Sequence, residues 1–248
     1  MKTKNWAWVS ILFGFALCLS LIVNFVLLRK VREFYGAKLL QQLWPAGIPQ
    51  SAIRRAVTNP KHTVLLIGDS RIAEWGLPSL DDCTVINAGV NGITTSQLRL
   101  RMAALLDEHH PDVAVIQVGI NDLKILGLRP ELSESVINLC ASNIVAMARE
   151  CESRNIKVIV TEIWPVGEIE IARRFVWGPA VTNALAHINL QLTLVSSPDK
   201  NIRVVNLFQE TANENKEPTR RGWYRDALHL KPEAYDLLTS ALKKQLAP

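Results

Sequence analysis

No charged side chain occurs between Lys4 and Arg29, a gap of 24 residues in a chain that otherwise carries 28 basic and 23 acidic groups. Cysteine is scarce as well, with four in 248 residues, and none forms a pair with metal-ligand spacing. Cys18 falls in the uncharged stretch and Cys83 has no evident partner. Cys140 and Cys151 share one expected helix, where a rise of about 1.5 Å per residue holds them too far apart for a bridge. The pattern argues against both a zinc module and a disulfide scaffold, and it leaves the redox compartment open. Also missing is a basic stripe interleaved with aromatics. The net charge of +5 comes mostly from one end, where Lys2, Lys4, Arg29, Lys30 and Arg32 outweigh Glu33, and the remainder holds 23 basic and 22 acidic residues. A nearly neutral body does not imply nucleic acid. Repeats and low-complexity tracts are absent too.

The uncharged gap runs through Asn5-Trp6-Ala7-Trp8 and then Val9 to Leu28. A bilayer core asks for about 20 apolar residues in helix, so the segment is long enough to span. Trp6 and Trp8 stand where interfacial aromatics belong, and basic residues close both ends. Gly14 and Asn24 are mild interruptions. A cleaved signal peptide is the competing reading, but it asks for an apolar region of about 7–15 residues ending in a small-x-small site. Leu17 before Cys18 also makes a poor lipoprotein cleavage site. An uncleaved single-pass anchor is therefore expected, with a cleaved leader or a buried core helix as alternatives. Positive charge is nearly balanced across the segment and slightly favours an inside location for the larger, C-terminal part of the chain.

Removing the anchor leaves roughly 215 residues, enough for one α/β domain with a sizeable core. We expect an anchor over 1–30, a connector over 31–62 and a single domain over 63–248. In the connector a helix continues through Val31 to Leu43 until Pro45, Gly47 and Pro49 break it. Beyond it, short β-branched runs alternate with amphipathic stretches. Strands are expected at Thr63–Ile67, Thr84–Asn87, Val113–Val118, Lys157–Ile163 and Arg203–Leu207. Helices are expected near Thr95–His109, Leu132–Arg154, Val181–Leu194 and Pro232–Gln245. Val64-Leu65-Leu66-Ile67 and Val113-Ala114-Val115-Ile116 are apolar on both faces, as buried parallel strands should be. The alternation predicts a five-stranded parallel sheet between two helix layers. The polar stretch from Gln209 to Arg221 is expected to form a mobile loop.

Ligands of open α/β sheets bind beyond the carboxyl ends of the strands. Four short blocks sit at such ends: Gly68-Asp69-Ser70, Asn87-Ala88-Gly89, Gly119-Ile120-Asn121-Asp122 and, after the fifth strand, Asp226-Ala227-Leu228-His229. Ser70 could simply cap a helix. The Gly-x-Ser-x-Gly elbow is not met, since Ile72 replaces its second glycine. His229 lies three residues after Asp226, so the carboxylate can reach Nδ1 and leave Nε2 as acceptor. A surface pair capping the last helix, which starts at Pro232, is the bland alternative. Asn121 could be a turn residue or an amide aimed at a developing oxyanion. Gly89 could be a turn glycine or one whose missing Cβ lets substrate approach its N–H. Asp122 reads as structural. Arg71 would meet an anionic substrate or solvent, and Glu162 could line the cleft. His109 and His110 close a helix before Pro111, and His62 and His187 lack partners in the sequence. The stretch from Trp164-Pro165 to Trp177-Gly178, with Arg173 and Arg174, would be a lid, a sugar-stacking wall or plain packing.

Together the four blocks resemble those of the SGNH hydrolases, also called GDSL-type esterases and lipases, over roughly residues 63–246. Gly68-Asp69-Ser70 is similar to the nucleophile block, and Asn87 to Gly89, extended through Val90-Asn91-Gly92-Ile93-Thr94-Thr95, to the glycine block. Gly119 to Asp122 and Asp226 to His229 match the remaining two, with Ala227 where glycine is frequent. The resemblance implies a flavodoxin-like three-layer α/β/α fold and ester hydrolysis without metal or organic cofactor. Ser70 would be the nucleophile, His229 the base and Asp226 its orienting carboxylate. The Ser70 and Gly89 N–H groups and Asn121 would form the oxyanion hole. It implies a small-molecule or glycan ester as substrate without choosing among them; the lack of a large helical lid insertion suited to long acyl chains puts a carbohydrate acetyl ester slightly ahead of a lysolipid or thioester. An O-acyltransferase using the same residues and a silent glycan-binding protein are the alternatives. Anchored members of the family often act on exported lipids or glycans, which favours an extracytoplasmic catalytic domain.

Overall fold

The computed structural model describes residues 3–45, 53–56, 62–174, 176–196, 201–209 and 220–247. The breakers Gly47 and Pro49 and most of the polar stretch between Gln209 and Arg221 lie outside them. The chain divides into two units, Met1–Leu39 and Leu40–Pro248.

The first unit is helical throughout its described residues. Helix α1 runs from Thr3 to Leu43 without a break, so the apolar stretch and the expected connector helix are one element. From Trp8 to Leu28 its apolar side chains are exposed, with Phe13, Phe15 and Phe25 each about two-thirds or more accessible. The polar interruption is satisfied locally: the Asn24 amide donates to the Ser20 carbonyl at 2.8 Å. Beyond the apolar stretch, Arg29 and Lys30 pair with Glu33 one turn on. The span Trp8–Leu43 is long and apolar enough to cross a membrane, a property shared by signal sequences.

The second unit is built on a six-stranded sheet of order β1-β3-β2-β4-β5-β6. Its strands are β1 Arg54–Ala56, β2 His62–Gly68, β3 Cys83–Asn87, β4 Val113–Gln117, β5 Lys157–Thr161 and β6 Ile202–Val205. The last five are mutually parallel and fall where the β-branched runs put them. Expectation and structure part at β1, which pairs antiparallel with β3 at the sheet edge. Its three residues lie in the segment expected to be connector. Arg54 and Arg55 carry no apolar alternation, so the strand exists because the β3 edge offers backbone partners.

Both faces of the sheet are buried. Val64 and Leu66 of β2 join one core, and Leu65 and Ile67, pointing the other way, are equally inaccessible. On the first face lie α2 Ser70–Trp75 and, at the end of the chain, the amphipathic helix Pro232–Leu246. On the other lie α3 Thr95–Arg99, α4 Met102–His109, α5 Ser133–Ser153 and α6 Pro179–Thr193, with α5 against β4 and β5. One helix was expected over Thr95–His109, but the chain bends between α3 and α4. Leu100 and Arg101 keep right-handed backbone angles there, so the axis shifts without reversing. His110 ends α4 in the left-handed region at φ 43°, immediately before Pro111, which disfavours helical geometry in the residue preceding it.

The connection after β2 carries the chain to β3 on one side, and the chain then returns to β4 on the other. β2 and β4 therefore flank the point where strand order reverses, the usual place for a ligand crevice in such sheets. Ser70 follows β2, and Asn121 follows β4.

Candidate active site

Ser70 is the first residue of α2. Asp69 caps that helix, its carboxylate accepting the Arg71 N–H at 2.9 Å. The cap fixes where the strand ends and the helix begins, and so where the hydroxyl points. Ser70 Oγ lies 3.1 Å from His229 Nε2, across 159 residues of sequence. The opposite ring nitrogen, Nδ1, is 2.8 Å from Asp226 Oδ2. Asp226 Oδ1 in turn accepts the backbone N–H groups of Leu228 and His229, at 2.7 and 3.0 Å. Burial pushes the Asp226 carboxyl up, but the imidazole and these two amides outweigh it and hold the group down at about 2. An ionised carboxylate on Nδ1 keeps the ring proton there and leaves Nε2 free to accept from a hydroxyl. The arrangement can move a proton from Ser70 to His229.

Arg71 is neither solvent-facing nor open to an anion. Its side chain is fully buried and donates to three carbonyls: Leu228 at 3.0 Å, Trp164 at 2.5 Å and Pro165 at 2.9 Å. The residue after the serine thus clasps the residue before the histidine. Tyr235 OH adds a bond to the Arg71 carbonyl at 2.9 Å. Trp164 and Trp177 are buried, which removes the reading of these two rings as a lid or a sugar-stacking wall. Trp164 packs edge-on against Trp75, with ring centroids 5.7 Å apart. Glu162 accepts from Asn206 at 2.7 Å, tying together the ends of β5 and β6, and partial burial raises its carboxyl.

The other wall of the crevice comes from the loops after β3 and β4. Asn121 is buried, and its amide donates to the Ile93 carbonyl at 3.0 Å. An NH₂ group has two protons, so this bond orients the amide and leaves one proton to give. Asp122 is structural, as expected, though its partner is distant in sequence. It accepts the hydroxyl and the N–H of Thr95, at 2.6 and 3.0 Å. Burial lifts its carboxyl to about 7 against those hydrogen bonds.

Gly89 departs from its expected role. Its N–H donates to Asn87 Oδ1 at 2.9 Å and is not turned to the site. A Cβ on Gly89 would come within 2.3 Å of the Ala73 nitrogen, so this glycine lets the β3 loop touch α2. Asn87 completes the joint by donating to the Ile72 and Gly76 carbonyls. Three residues further on, Gly92 takes φ +75°, with open space where a Cβ would be. Its N–H has no partner among the described residues, and the next residue, Ile93, holds Asn121. The extended glycine block contains Gly92, but nothing in its spelling tells which of its glycines turns its amide outward.

Sequence reasoning also passed over Glu74. It lies one turn after Ser70 on α2, and its Oε1 is 3.6 Å from His229 Nε2. Arg225 Nη2 bridges both Glu74 oxygens at 3.2 Å. The signal was the four-residue spacing, which stacks two side chains on one helix face.

A profile of the GDSL-like Lipase/Acylhydrolase family matches residues 66–237. The chain belongs to this family. An arylesterase from Vibrio mimicus is 34% identical over a match covering 27% of this chain and 41% of that protein. The chain thus spans about two fifths of that curated relative's length. Among solved structures, a GDSL-like lipase from Bacteroides thetaiotaomicron superposes with a TM-score of 0.54 at 19% identity, covering 77% of this chain and 91% of its own. An acetylxylan esterase from Geobacillus stearothermophilus does so at 0.54 and 17%, covering 77% and 96%. An esterase from a Pseudoalteromonas species gives 0.51 and 21%, covering 75% and 97%. These three share the fold of the GDSL family member described above.

Proposed function

We propose that this protein is a membrane-anchored serine ester hydrolase that removes short acyl groups, acetyl foremost, from a carbohydrate or related ester. The observation that carries the reading is the continuous chain Ser70 Oγ, His229, Asp226, with links of 3.1 and 2.8 Å, at the point where strand order reverses. Ser70 Oγ attacks the ester carbonyl while its proton passes to Nε2 of His229, and Asp226 holds the resulting imidazolium in place. The carbonyl oxygen, now negative, is met by the Ser70 N–H at the start of α2 and by the second Asn121 amide proton. Gly92, whose amide is open, takes the donor role expected of Gly89. The alcohol leaves with the proton from Nε2. Water, giving a proton to the same nitrogen, then attacks the acyl-serine; the bond from the acyl carbon to Ser70 Oγ breaks, Nε2 returns its proton to Oγ, and the acid is freed.

Support for a short acyl group comes from the crevice walls, which are loops and single helical turns among the described residues, without a helical insertion to shelter a long chain. The acetylxylan esterase with the same fold is consistent with it. The domain arrangement is an anchor over 1–30, a connector and a catalytic domain to 248, facing away from the cytoplasm. The test is turnover of a p-nitrophenyl ester series by the full chain in detergent, beside Ser70→Ala. Turnover highest on acetate and reduced about 10⁴-fold or more in the variant is expected. Equal turnover by both proteins would end the reading.

A further inference from the structure

We propose that Glu74, held by Arg225, is the specificity determinant on the alcohol side of the ester, accepting a hydrogen bond from a substrate hydroxyl next to the ester oxygen. The assignment rests on the serine hydrolase reading of the same site.

Its starting point is the departure step. When the tetrahedral intermediate collapses, the bond between the acyl carbon and the alcohol oxygen breaks and its electron pair stays on that oxygen. The proton on His229 Nε2 moves to the same oxygen, so the two atoms must lie within hydrogen-bond reach, about 3 Å. Glu74 Oε1 is 3.6 Å from that nitrogen. The leaving alcohol therefore departs alongside a carboxylate that is not part of the proton relay. A hydroxyl on the carbon beside the ester-bearing carbon lies about 3 Å from the ester oxygen, given ordinary hydrogen-bond and backbone-scale bond lengths. When the alcohol departs on the Glu74 side of Nε2, that hydroxyl comes within reach of the carboxylate.

The carboxylate is suited to the task. It sits one helical turn from Ser70 on α2, so its position relative to the nucleophile is set by a rigid element. Arg225 spans both of its oxygens through a single nitrogen, at 3.2 Å each. That leaves acceptor lone pairs on Glu74 and several guanidinium N–H groups uncommitted. The Glu74 side chain is 28% accessible and that of Arg225 61%, so the pair is open to solvent and not part of the core. An ordinary surface pair contributes little to stability. This one is distinguished by its distance to the nitrogen that must hand over the proton. A carboxylate alone beside Nε2 would compete for the imidazolium proton, and Arg225 counters that competition by balancing its charge. A paired acid and base with spare acceptors and donors suits a neutral, hydroxyl-rich alcohol such as a sugar.

The experiment compares two acetyl esters of one methyl glycoside, alike except that the second lacks the hydroxyl adjacent to the ester, with the full chain and its Glu74→Gln and Arg225→Gln variants. The wild type is expected to favour the hydroxyl-bearing ester in kcat/KM by about tenfold or more, as a hydrogen bond to a charged group allows. Glu74→Gln should collapse that preference towards one, chiefly through KM, and Arg225→Gln should reduce it. A preference kept in full by both variants overturns the assignment, as does a wild type with none. An equal loss on both esters shows Glu74 acting through His229 and also overturns it. If Ser70→Ala matches the wild type on every ester, the hydrolase reading itself has failed.

Discussion

The two walls of the crevice are built differently. The wall of Ser70 and His229 is clamped by bonds between residues more than 150 positions apart: Arg71 to Leu228, Arg225 to Glu74, Tyr235 to Arg71. The wall of Asn121 and Gly92 is held by bonds between residues fewer than 30 positions apart, Asn121 to Ile93 and Thr95 to Asp122, and by turns. The first wall is set before substrate arrives, because a proton relay fails if either link lengthens. The second keeps donors uncommitted, because an oxyanion exists only in the transition state and the donors must be free to meet it. On the proposed mechanism, long-range clamps hold the groups that would move protons, and unspent hydrogen-bonding capacity lies where charge would appear.

Substitutions can break this contrast from either side. Asp226→Asn should cost most, lowering kcat by about 10³–10⁴-fold with the fold intact, since an amide no longer fixes the imidazole proton on Nδ1. Stopped assays on an aryl acetate would measure it. Asn121→Ala should lower kcat by about 10²–10³-fold with little change in KM, the mark of a contact made only in the transition state. If KM rises instead, the second wall binds ground-state substrate and the contrast fails. Arg71→Met tests the clamp. It orphans three carbonyls and should reduce unfolding free energy by about 3 kcal/mol or more in urea titrations.

The smallest effect is on pH. Asp226 is held at about 2 in the folded chain, against its ordinary 3.8. A depressed carboxyl stabilises the fold above its unfolded value, and that contribution is lost as pH falls from about 4 towards 2. That loss should vanish in Asp226→Asn when acid unfolding curves are compared.

Much of this was legible in the sequence. Val64 to Ile67 and Val113 to Ile116 announce buried strands because both faces of a parallel sheet need apolar residues. The blocks at their ends then fall on one edge without further assumption. Three features were not legible, each because it depends on a neighbour distant in sequence. Arg71 reads as a surface charge until the Leu228, Trp164 and Pro165 carbonyls converge on it. Gly89 and Gly92 are alike in spelling, and only Asn87 and the proximity of Ala73 decide which amide is spent. Glu74 gains meaning once α2 places it beside an imidazole from the far end of the chain.

The edge strand Arg54–Ala56 bears on how the catalytic unit can be cut free. Without it, β3 would end the sheet with a row of bare N–H and C=O groups beside Val85 and Ile86, a template on which another chain could add. With it, the sheet ends on three residues, two of them exposed arginines, whose charge discourages a further strand. A fragment beginning at residue 63 would keep every group of the proton relay and still tend to stick to itself. One beginning before Arg54 would retain the cover.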